Sequence, residues 1–195
     1  MGRMRIGVLG GTFNPVHIGH LVLAETACEE LQLDRLVFVP CCQPPHKPDR
    51  GLALPRHRLA MVRLAVRGHS RLQASDLEVV RGGRSYTVET LRALHRRAPD
   101  AALYFIAGSD IVPTLPSWRS IDEVRRLCRF VVATRAGHPV RHLPSHIRSF
   151  PMPSIDISAR QIRRRLAQDC SVRYIVPDAV LSYIRRHRLY QSGAR

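Results

Sequence analysis

Lysine and acidic residues are scarce in this chain. Lys47 is the one lysine among 31 Lys and Arg residues, and 15 Asp and Glu leave a formal net charge of +16 over 195 residues. Such a surplus of positive charge is typical of nucleic-acid-binding modules, so that class of function is a candidate. Because 45% of the residues are hydrophobic, the composition excludes disordered, collagen-like and disulfide-scaffold proteins. The length favours one domain over 1–195, of which 154–195 form a C-terminal helical part.

The chain also lacks long apolar runs and paired cysteines. Its first apolar run, 6–9, has four residues, too few for a signal peptide or a membrane span. The five cysteines are odd in number and contain no CxxC pair, which argues against a zinc or redox dithiol site. We therefore expect a cytoplasmic protein with no membrane partner. Adjacent Cys41 and Cys42 provide either a reactive thiol or two small buried or loop side chains.

Short apolar runs alternate along the chain with segments that carry apolar residues at helical spacing. Strands are predicted at 5–9, 36–39, 72–77, 103–107 and 130–134. Helices are predicted at 18–33, 55–66, 87–97, 121–127, 158–166 and 178–186, with a proline-rich loop at 41–55 and a Pro- and His-rich link at 138–153. Because the strands are apolar throughout, this pattern predicts an α/β fold with a doubly wound, Rossmann-like parallel sheet that is covered on both faces.

The strongest candidate site follows the first strand, where Gly10 and Gly11 precede His17 and His20. Glycines let backbone N–H groups approach an anion, and the start of a helix adds a favourable dipole. The two imidazoles share one helical face and could bind phosphate oxygens on which charge builds up. The segment has neither a Walker A lysine nor the G-x-G-x-x-G spacing. A capping or core role for either histidine stays open, as does a two-histidine zinc site, although no nearby pattern supplies its other ligands.

The tetrapeptide 17–20, His-Ile-Gly-His, is the HxGH signature shared by the nucleotidyltransferase superfamily and the class I aminoacyl-tRNA synthetases. A synthetase would carry a second, lysine-containing loop, which a chain with one lysine at position 47 does not supply. Within the nucleotidyltransferases the chain resembles the bacterial nicotinate-nucleotide adenylyltransferases nearly end to end. Their motifs follow in order as GGTFNPVHIGH at 10–20, PPHK at 44–47, SYT at 85–87, GSD at 108–110, LPSW at 115–118 and ISARQIR at 157–163. One departure is Arg160, where the family commonly has threonine.

This resemblance implies a nucleotidyltransferase-type fold and the transfer of AMP from ATP to nicotinate mononucleotide. Mg²⁺ would be carried by ATP, with no metal site on the protein and no nucleic-acid partner. The implied catalytic residues are His17, His20, Lys47 and Arg163. The implied ATP contacts are Gly10, Gly11, Thr12, Phe13, His20, Gly108, Asp110, Ile157, Ser158 and Arg163. The implied contacts of nicotinate mononucleotide are His46, Tyr86, Thr87, Trp118 and Arg135.

Several of these residues also have a plain structural interpretation. Ser158 followed by Gln161 predicts a capping box, and Thr87 is expected to cap the next helix. Trp118 packs in the core or stacks on a ligand ring, which the resemblance makes the pyridine. Asp110 caps a turn or accepts hydrogen bonds from ribose hydroxyls. Another HxGH nucleotidyltransferase, such as a pantetheine-phosphate adenylyltransferase, is the alternative enzyme, and the oligomeric state stays open.

Overall fold

Strands and helices alternate along the chain in the computed structural model, which describes residues 2–44, 51–135 and 143–191. The strands are β1 Arg5–Gly11, β2 Arg35–Pro40, β3 Leu72–Ala74, β4 Ala102–Gly108, β5 Arg129–Arg135 and β6 Ile147–Met152. The helices are α1 Ile18–Glu30, α2 Pro55–Ala65, α3 Leu77–Arg81, α4 Thr87–Arg97, α5 Ile121–Leu127, α6 Ala159–Ala167 and α7 Asp178–Arg186, with a 3-10 segment at Ser109–Ser117. Within these ranges no helix is both long and apolar enough to span a bilayer.

The six described strands form one parallel sheet in the order β3-β2-β1-β4-β5-β6. The chain winds outward from β1 in one direction and, after β3, crosses to β4 on the other side of β1. Strand order therefore reverses between β1 and β4, the place where ligands bind in open parallel sheets. The doubly wound Rossmann-like prediction is confirmed.

Apolar residues cover both faces of the sheet, as the continuous apolar strands predict. In β2, Leu36 and Phe38 belong to one core layer, whereas Val37 and Val39 belong to the other. Helices α1, α2, α6 and α7 bury residues in the first layer, and α4 and α5 bury theirs in the second. Since helices cover both faces of the sheet, polar loops can gather only at the ends of the strands, including their carboxyl ends.

The structure differs from the predicted elements in three places. The helix predicted at 18–33 ends at Glu30, and Gln32 then adopts a left-handed φ of 50°. The strand predicted at 72–77 is β3 followed by the start of α3. The predicted link at 138–153, of which 138–142 lie outside the described residues, contains β6. Pro151 weakens the strand signal, and an edge strand that pairs with β5 alone tolerates it.

Candidate active site

A cavity of about 460 Å³ lies at the carboxyl ends of β1, β2 and β4, where the strand order reverses. We call it the switch-point cavity. Val8, Val39 and Phe105 give it an apolar floor. The predicted site residues that line it are Gly10, Gly11, Thr12, Tyr86, Thr87, Asp110 and Trp118. The structure thus brings together residues of four separate motifs, one after the first strand, one at the start of α4 and two in the segment after β4.

The two histidines of the HxGH tetrapeptide lie face to face at the start of α1. His17 is the N-cap residue, and its ring centroid is 3.7 Å from that of His20. The backbone N–H of His17 donates to Nδ1 of His20 at 3.2 Å. A neutral His20 therefore carries its proton on Nε2, where it can donate to a phosphate oxygen.

Burial keeps both imidazoles neutral at pH 7. Burial lowers the pKa of His17 to about 4, and burial together with the charge of His17 lowers the pKa of His20 to about 3. In the ligand-free protein the pair therefore presents N–H dipoles and no positive charge. A bound triphosphate would favour the protonated forms, because an adjacent anion raises the pKa of an imidazole.

These lowered pKa values predict acid instability. Between pH 6.5 and about 4 the unfolded chain binds a proton at His17 that the folded protein does not, so the free energy of unfolding falls as the pH falls. Complete titration of this one residue corresponds to about 3 kcal/mol. Urea unfolding at pH 7 and at pH 4.5 measures the loss, which should be smaller in His17→Asn. Equal losses in the two proteins would contradict the lowered pKa.

Gly19 occupies the first turn of α1, although alanine has a helix propensity more favourable than that of glycine by about 1 kcal/mol. A Cβ placed at Gly19 would lie 3.2 Å from both Nδ1 and Cε1 of His17, closer than an ordinary contact. The glycine thus lets the His17 ring lie flat against the helix backbone. Nδ1 of His17 is also buried and has no hydrogen-bond partner among the described residues.

The loop after β1 presents backbone to the site and turns its largest side chain inward. Phe13 is 2% exposed and packs against Phe38 and His20, with centroids 5.5 and 5.1 Å away. Its φ of 48° folds the ring under Gly11, where a Cβ would lie 2.9 Å from the ring. Only the backbone of Phe13 is therefore placed for a predicted contact with ATP.

Asn14 organises this loop, a role that the sequence reasoning did not assign. Its buried side chain accepts hydrogen bonds from the Ala53 N–H at 3.0 Å and the Tyr190 hydroxyl at 2.7 Å, and donates to the Gly51 carbonyl at 3.0 Å. Its own carbonyl accepts from Nη1 of Arg163 at 2.8 Å. The structure therefore brings Arg163, predicted from the last motif, to the loop that precedes the histidine pair.

The capping box predicted at the start of α6 is confirmed. Oγ of Ser158 accepts from the Gln161 N–H at 3.2 Å, and Oε1 of Gln161 accepts from the Ser158 N–H at 2.9 Å. Neither Ser158 nor Ile157 lines the switch-point cavity, and Ile157 lines a separate groove of about 330 Å³ beside α6. Their contacts with ATP stay predictions.

The other end of the switch-point cavity is built around α4. Tyr86 is the N-cap residue and Thr87 the first helical residue, so the expectation that Thr87 caps this helix is wrong. The reason is that the extended backbone conformation typical of an N-cap falls on Tyr86, with φ −93° and ψ 130°. The first turn of α4 leaves N–H groups without helical partners next to the cavity, where an anion would bind them.

Trp118 packs on the core, and its stacking on a ligand ring stays a prediction. Its ring meets those of Phe105 and Phe130 edge-on, with centroids 5.6 and 6.0 Å away, and it also lines the cavity. The neighbouring Arg119 places its guanidinium 4.7 Å from the centroid of the Tyr86 ring. Packing fixes the indole while part of it faces the space in which a flat ligand ring would stack.

The loop after β4 places a carboxylate at the mouth of the cavity. A Cβ on Gly108 would lie 2.5 Å from Oδ1 of Asp110, so the glycine lets this exposed carboxylate fold back over the strand end. Arg135 ends β5, but its side chain lies outside the described residues, as do His46 and Lys47. The predicted roles of these three residues stay predictions.

Comparisons with known proteins agree with the motif order. The family model described as Cytidylyltransferase-like matches residues 8–165. A protein of Synechococcus sp. (strain JA-3-3Ab) named "Probable nicotinate-nucleotide adenylyltransferase" is 45% identical over 195 residues, which cover 95% of this chain and 94% of the relative. A protein of Lactiplantibacillus plantarum with the same name is 41% identical and covers 97% of this chain and 89% of the relative.

The chain belongs to the nicotinate-nucleotide adenylyltransferase family. It is therefore a nucleotidyltransferase. A solved structure of nicotinic acid mononucleotide adenylyltransferase from Plasmodium falciparum matches the fold with a TM-score of 0.78 and 18% identity, covering 96% of this chain and 97% of that one. The predicted nucleotidyltransferase-type fold is confirmed.

In this member of the adenylyltransferase family, several polar side chains are buried in or near the cavity. The motifs did not predict the burial of these side chains. Glu78 is buried, accepts a hydrogen bond from the Thr90 hydroxyl, and has its pKa raised by burial. Arg58 is buried on α2, where the helical pattern gives no sign that a charge lies inward. Cys41 is buried as well, and burial raises the pKa of its thiol, so it fits the interpretation as a small packed side chain.

Proposed function

We propose that this protein transfers AMP from ATP to nicotinate mononucleotide, releasing pyrophosphate and forming nicotinate adenine dinucleotide in NAD biosynthesis. The observation that carries the proposal is the switch-point cavity, which lies between the glycine loop after β1 on one side and Trp118 with the start of α4 on the other. ATP would bind at the glycine loop and the pyridine nucleotide at Trp118 and α4, so that their reacting phosphates meet in this cavity. The Plasmodium falciparum structure, which was solved with NaAD bound, supports nucleotide substrates here.

The proposed reaction requires little covalent chemistry from the protein. The phosphate of nicotinate mononucleotide attacks the α-phosphorus of ATP in line, a new P–O bond forms, and the bond to pyrophosphate breaks. A phosphate monoester is already ionised at neutral pH, so positioning and charge neutralisation suffice. His17 and His20 would donate N–H groups to the reacting phosphates, while Arg163 and Lys47 would hold the β- and γ-phosphates.

Magnesium would arrive with ATP and neutralise charge on the triphosphate oxygens. Mg²⁺ keeps several water ligands and binds nucleotides through few protein carboxylates. The described part of the chain has no group of three or more His, Cys, Asp or Glu residues that could hold a metal ion. Asp110 at the cavity mouth is a carboxylate that such a hydrated ion could meet. A single carboxylate at the cavity mouth fits an ion that the nucleotide carries.

Substrate choice would follow from the acceptor end of the cavity. The first turn of α4, at Tyr86 and Thr87, favours an anion, which the nicotinate carboxylate provides and the nicotinamide amide does not. The indole of Trp118 would stack on the pyridine ring. The geometry therefore supports a preference for the acid.

A panel of phosphate acceptors tests the proposed function. The purified protein is incubated with Mg-ATP and, separately, nicotinate mononucleotide, nicotinamide mononucleotide or pantetheine phosphate. Pyrophosphate release and the adenylylated product are then measured. We expect the highest rate with nicotinate mononucleotide. Faster turnover of pantetheine phosphate would refute the assignment, and sub-micromolar RNA binding with a steep salt slope and no turnover would favour a nucleic-acid-binding module.

Trp118→Ala should weaken binding of the acceptor without affecting ATP. Stacking of a base on an aromatic side chain contributes about 1–3 kcal/mol, which corresponds to a rise in the KM for nicotinate mononucleotide of about 5- to 150-fold. Steady-state kinetics at saturating ATP measures the change. Trp118→Phe should keep most of the affinity, and Tyr174→Ala, at an exposed tyrosine outside the cavity, is the control. An unchanged KM in Trp118→Ala would remove the stacking role.

A further inference from the structure

Arg58 is a buried cation that is surrounded by backbone carbonyls. Its side chain on α2 is 1% exposed and makes no ion pair among the described residues. Nε donates to the Ala53 carbonyl at 2.9 Å, and Nη1 donates to those of Thr12 at 2.9 Å and Cys41 at 2.6 Å. Nη2 donates to the carbonyl of Cys42 at 2.8 Å. One guanidinium thus ties together the loop after β1, the end of β2 and the segment before α2.

The hydrogen bonds continue from this guanidinium to the acceptor end of the cavity. The N–H of Cys42 donates to Oγ of Ser85 at 2.8 Å, and the N–H of Ser85 donates to the Gln43 carbonyl at 2.9 Å. The Ser85 hydroxyl also lies beside Glu78, which accepts from the Thr90 hydroxyl on α4. We call this series, from Thr12 through Arg58 to Thr90, the polar bridge. It runs from residues 12–17 after β1, which we call the ATP loop, to α4, the helix that begins at Thr87.

The polar bridge lies under the switch-point cavity. Thr12, Cys41, Ser85, Glu78 and Thr90 line the cavity, whereas Arg58 does not, so the guanidinium cannot serve as a direct ligand there. Burying a charge without a carboxylate is unfavourable unless hydrogen bonds compensate it. An apolar side chain would fill the same space at lower cost. The planar fork of arginine donates in several fixed directions at once, which an ammonium group cannot reproduce.

We propose that Arg58 is a positioning residue that fixes the distance between the ATP loop and the acceptor pocket, so that the attacking phosphate meets the α-phosphorus in line. This inference rests on the proposed function. Arg58 acts through the backbone of Thr12, Cys41 and Cys42 and touches neither substrate. The joining step is the attack of the acceptor phosphate on the α-phosphorus of ATP. A small misplacement of the two reactants lowers the rate of this step more than it lowers the affinity for either reactant.

Kinetics of Arg58→Lys provide the first test, with Met61→Ala as a matched control. Met61 is fully buried one turn further along α2, and its truncation lowers stability through a cavity without touching the polar bridge. Both variants are assayed well below their unfolding temperatures. Arg58→Lys should lower kcat about tenfold with smaller changes in both KM values, whereas Met61→Ala should keep the wild-type kcat. Equal kcat values in the two variants would overturn the proposal.

Hydrogen–deuterium exchange of the ligand-free proteins gives a readout that does not depend on activity. In Arg58→Lys, exchange should accelerate at 11–14, 41–43 and 85–90 while the sheet stays protected. Unchanged exchange in these segments would overturn the polar bridge as a connection. If the wild type itself fails to turn over nicotinate mononucleotide, the proposed function fails, and the exchange result still decides whether the connection exists.

Ser85→Ala provides a second route if Arg58→Lys does not fold. This change removes the Ser85 hydroxyl that accepts from the Cys42 N–H and lies beside Glu78, and it leaves Arg58 in place. It should reproduce the faster exchange at 41–43 and 85–90 and a lower kcat. A wild-type kcat together with faster exchange would show that the polar bridge stabilises the loops without positioning the reactants.

Discussion

Replacing His20 with alanine should lower kcat by about 1,000-fold while leaving the fold intact. Loss of one preorganised donor from a site where charge develops lowers kcat by about 10²- to 10³-fold. His20 lies at the upper end of this range because it also supports its neighbour: its ring packs on His17 and accepts the His17 N–H. Single-turnover measurement of the dinucleotide product isolates the joining step. Circular dichroism verifies the fold.

Two further variants separate donation by His20 from general damage. His20→Gln keeps a side-chain N–H donor and should recover part of the activity lost in His20→Ala. His95→Ala, at a histidine in the last turn of α4 and away from the histidine pair at the start of α1, should match the wild type. Near-wild-type kcat in His20→Ala would show that the joining step does not depend on the imidazole.

Replacing Arg163 with alanine should lower kcat/KM for ATP by about 100-fold. Each hydrogen bond from a charged donor contributes about 1.5–3 kcal/mol, and the change would remove the proposed phosphate contacts together with the bond to the Asn14 carbonyl. The loss should appear in kcat/KM for ATP and much less in the KM for nicotinate mononucleotide. Initial rates measured against varied ATP give the value.

The next residue on α6 supplies a control for Arg163. Arg164 is exposed and carries the same charge, so Arg164→Ala should leave kcat/KM for ATP close to the wild-type value. Arg163→Lys should recover only part of the loss, since an ammonium cannot bind both the carbonyl and a phosphate with fixed geometry. If Arg163→Ala and Arg164→Ala behaved alike, Arg163 would contribute no more than general positive potential.

Elements with a clear apolar period were predictable from the sequence, and the edge strand β6 was not. The predicted helices at 87–97, 121–127 and 178–186 coincide with α4, α5 and α7, because each carries an apolar stripe. β6 was missed because only Ile147 and Phe150 are buried in it and Pro151 interrupts its pattern. Its pairing depends on contact with β5, and local spacing carries no record of that contact.

The candidate site shows the same division between local and distant information. His17 and His20 are neighbours in the chain, so their spacing alone predicts that they meet. The contacts of Arg58 with Thr12 and of Cys42 with Ser85 join residues 46 and 43 positions apart, and no periodicity marks them. The inward turn of Phe13 likewise depends on a left-handed backbone angle at a residue type that rarely adopts one.

Asn14, near the start of the chain, forms hydrogen bonds with residues near its end. The Tyr190 hydroxyl that bonds to its side chain is 176 positions away, and the Arg163 guanidinium that bonds to its carbonyl is 149 positions away. The ribosome therefore synthesises the loop after β1 long before it synthesises these two partners. Nascent chains that end before residue 163 lack both of these contacts, so we expect the loop after β1 to become fixed late in translation.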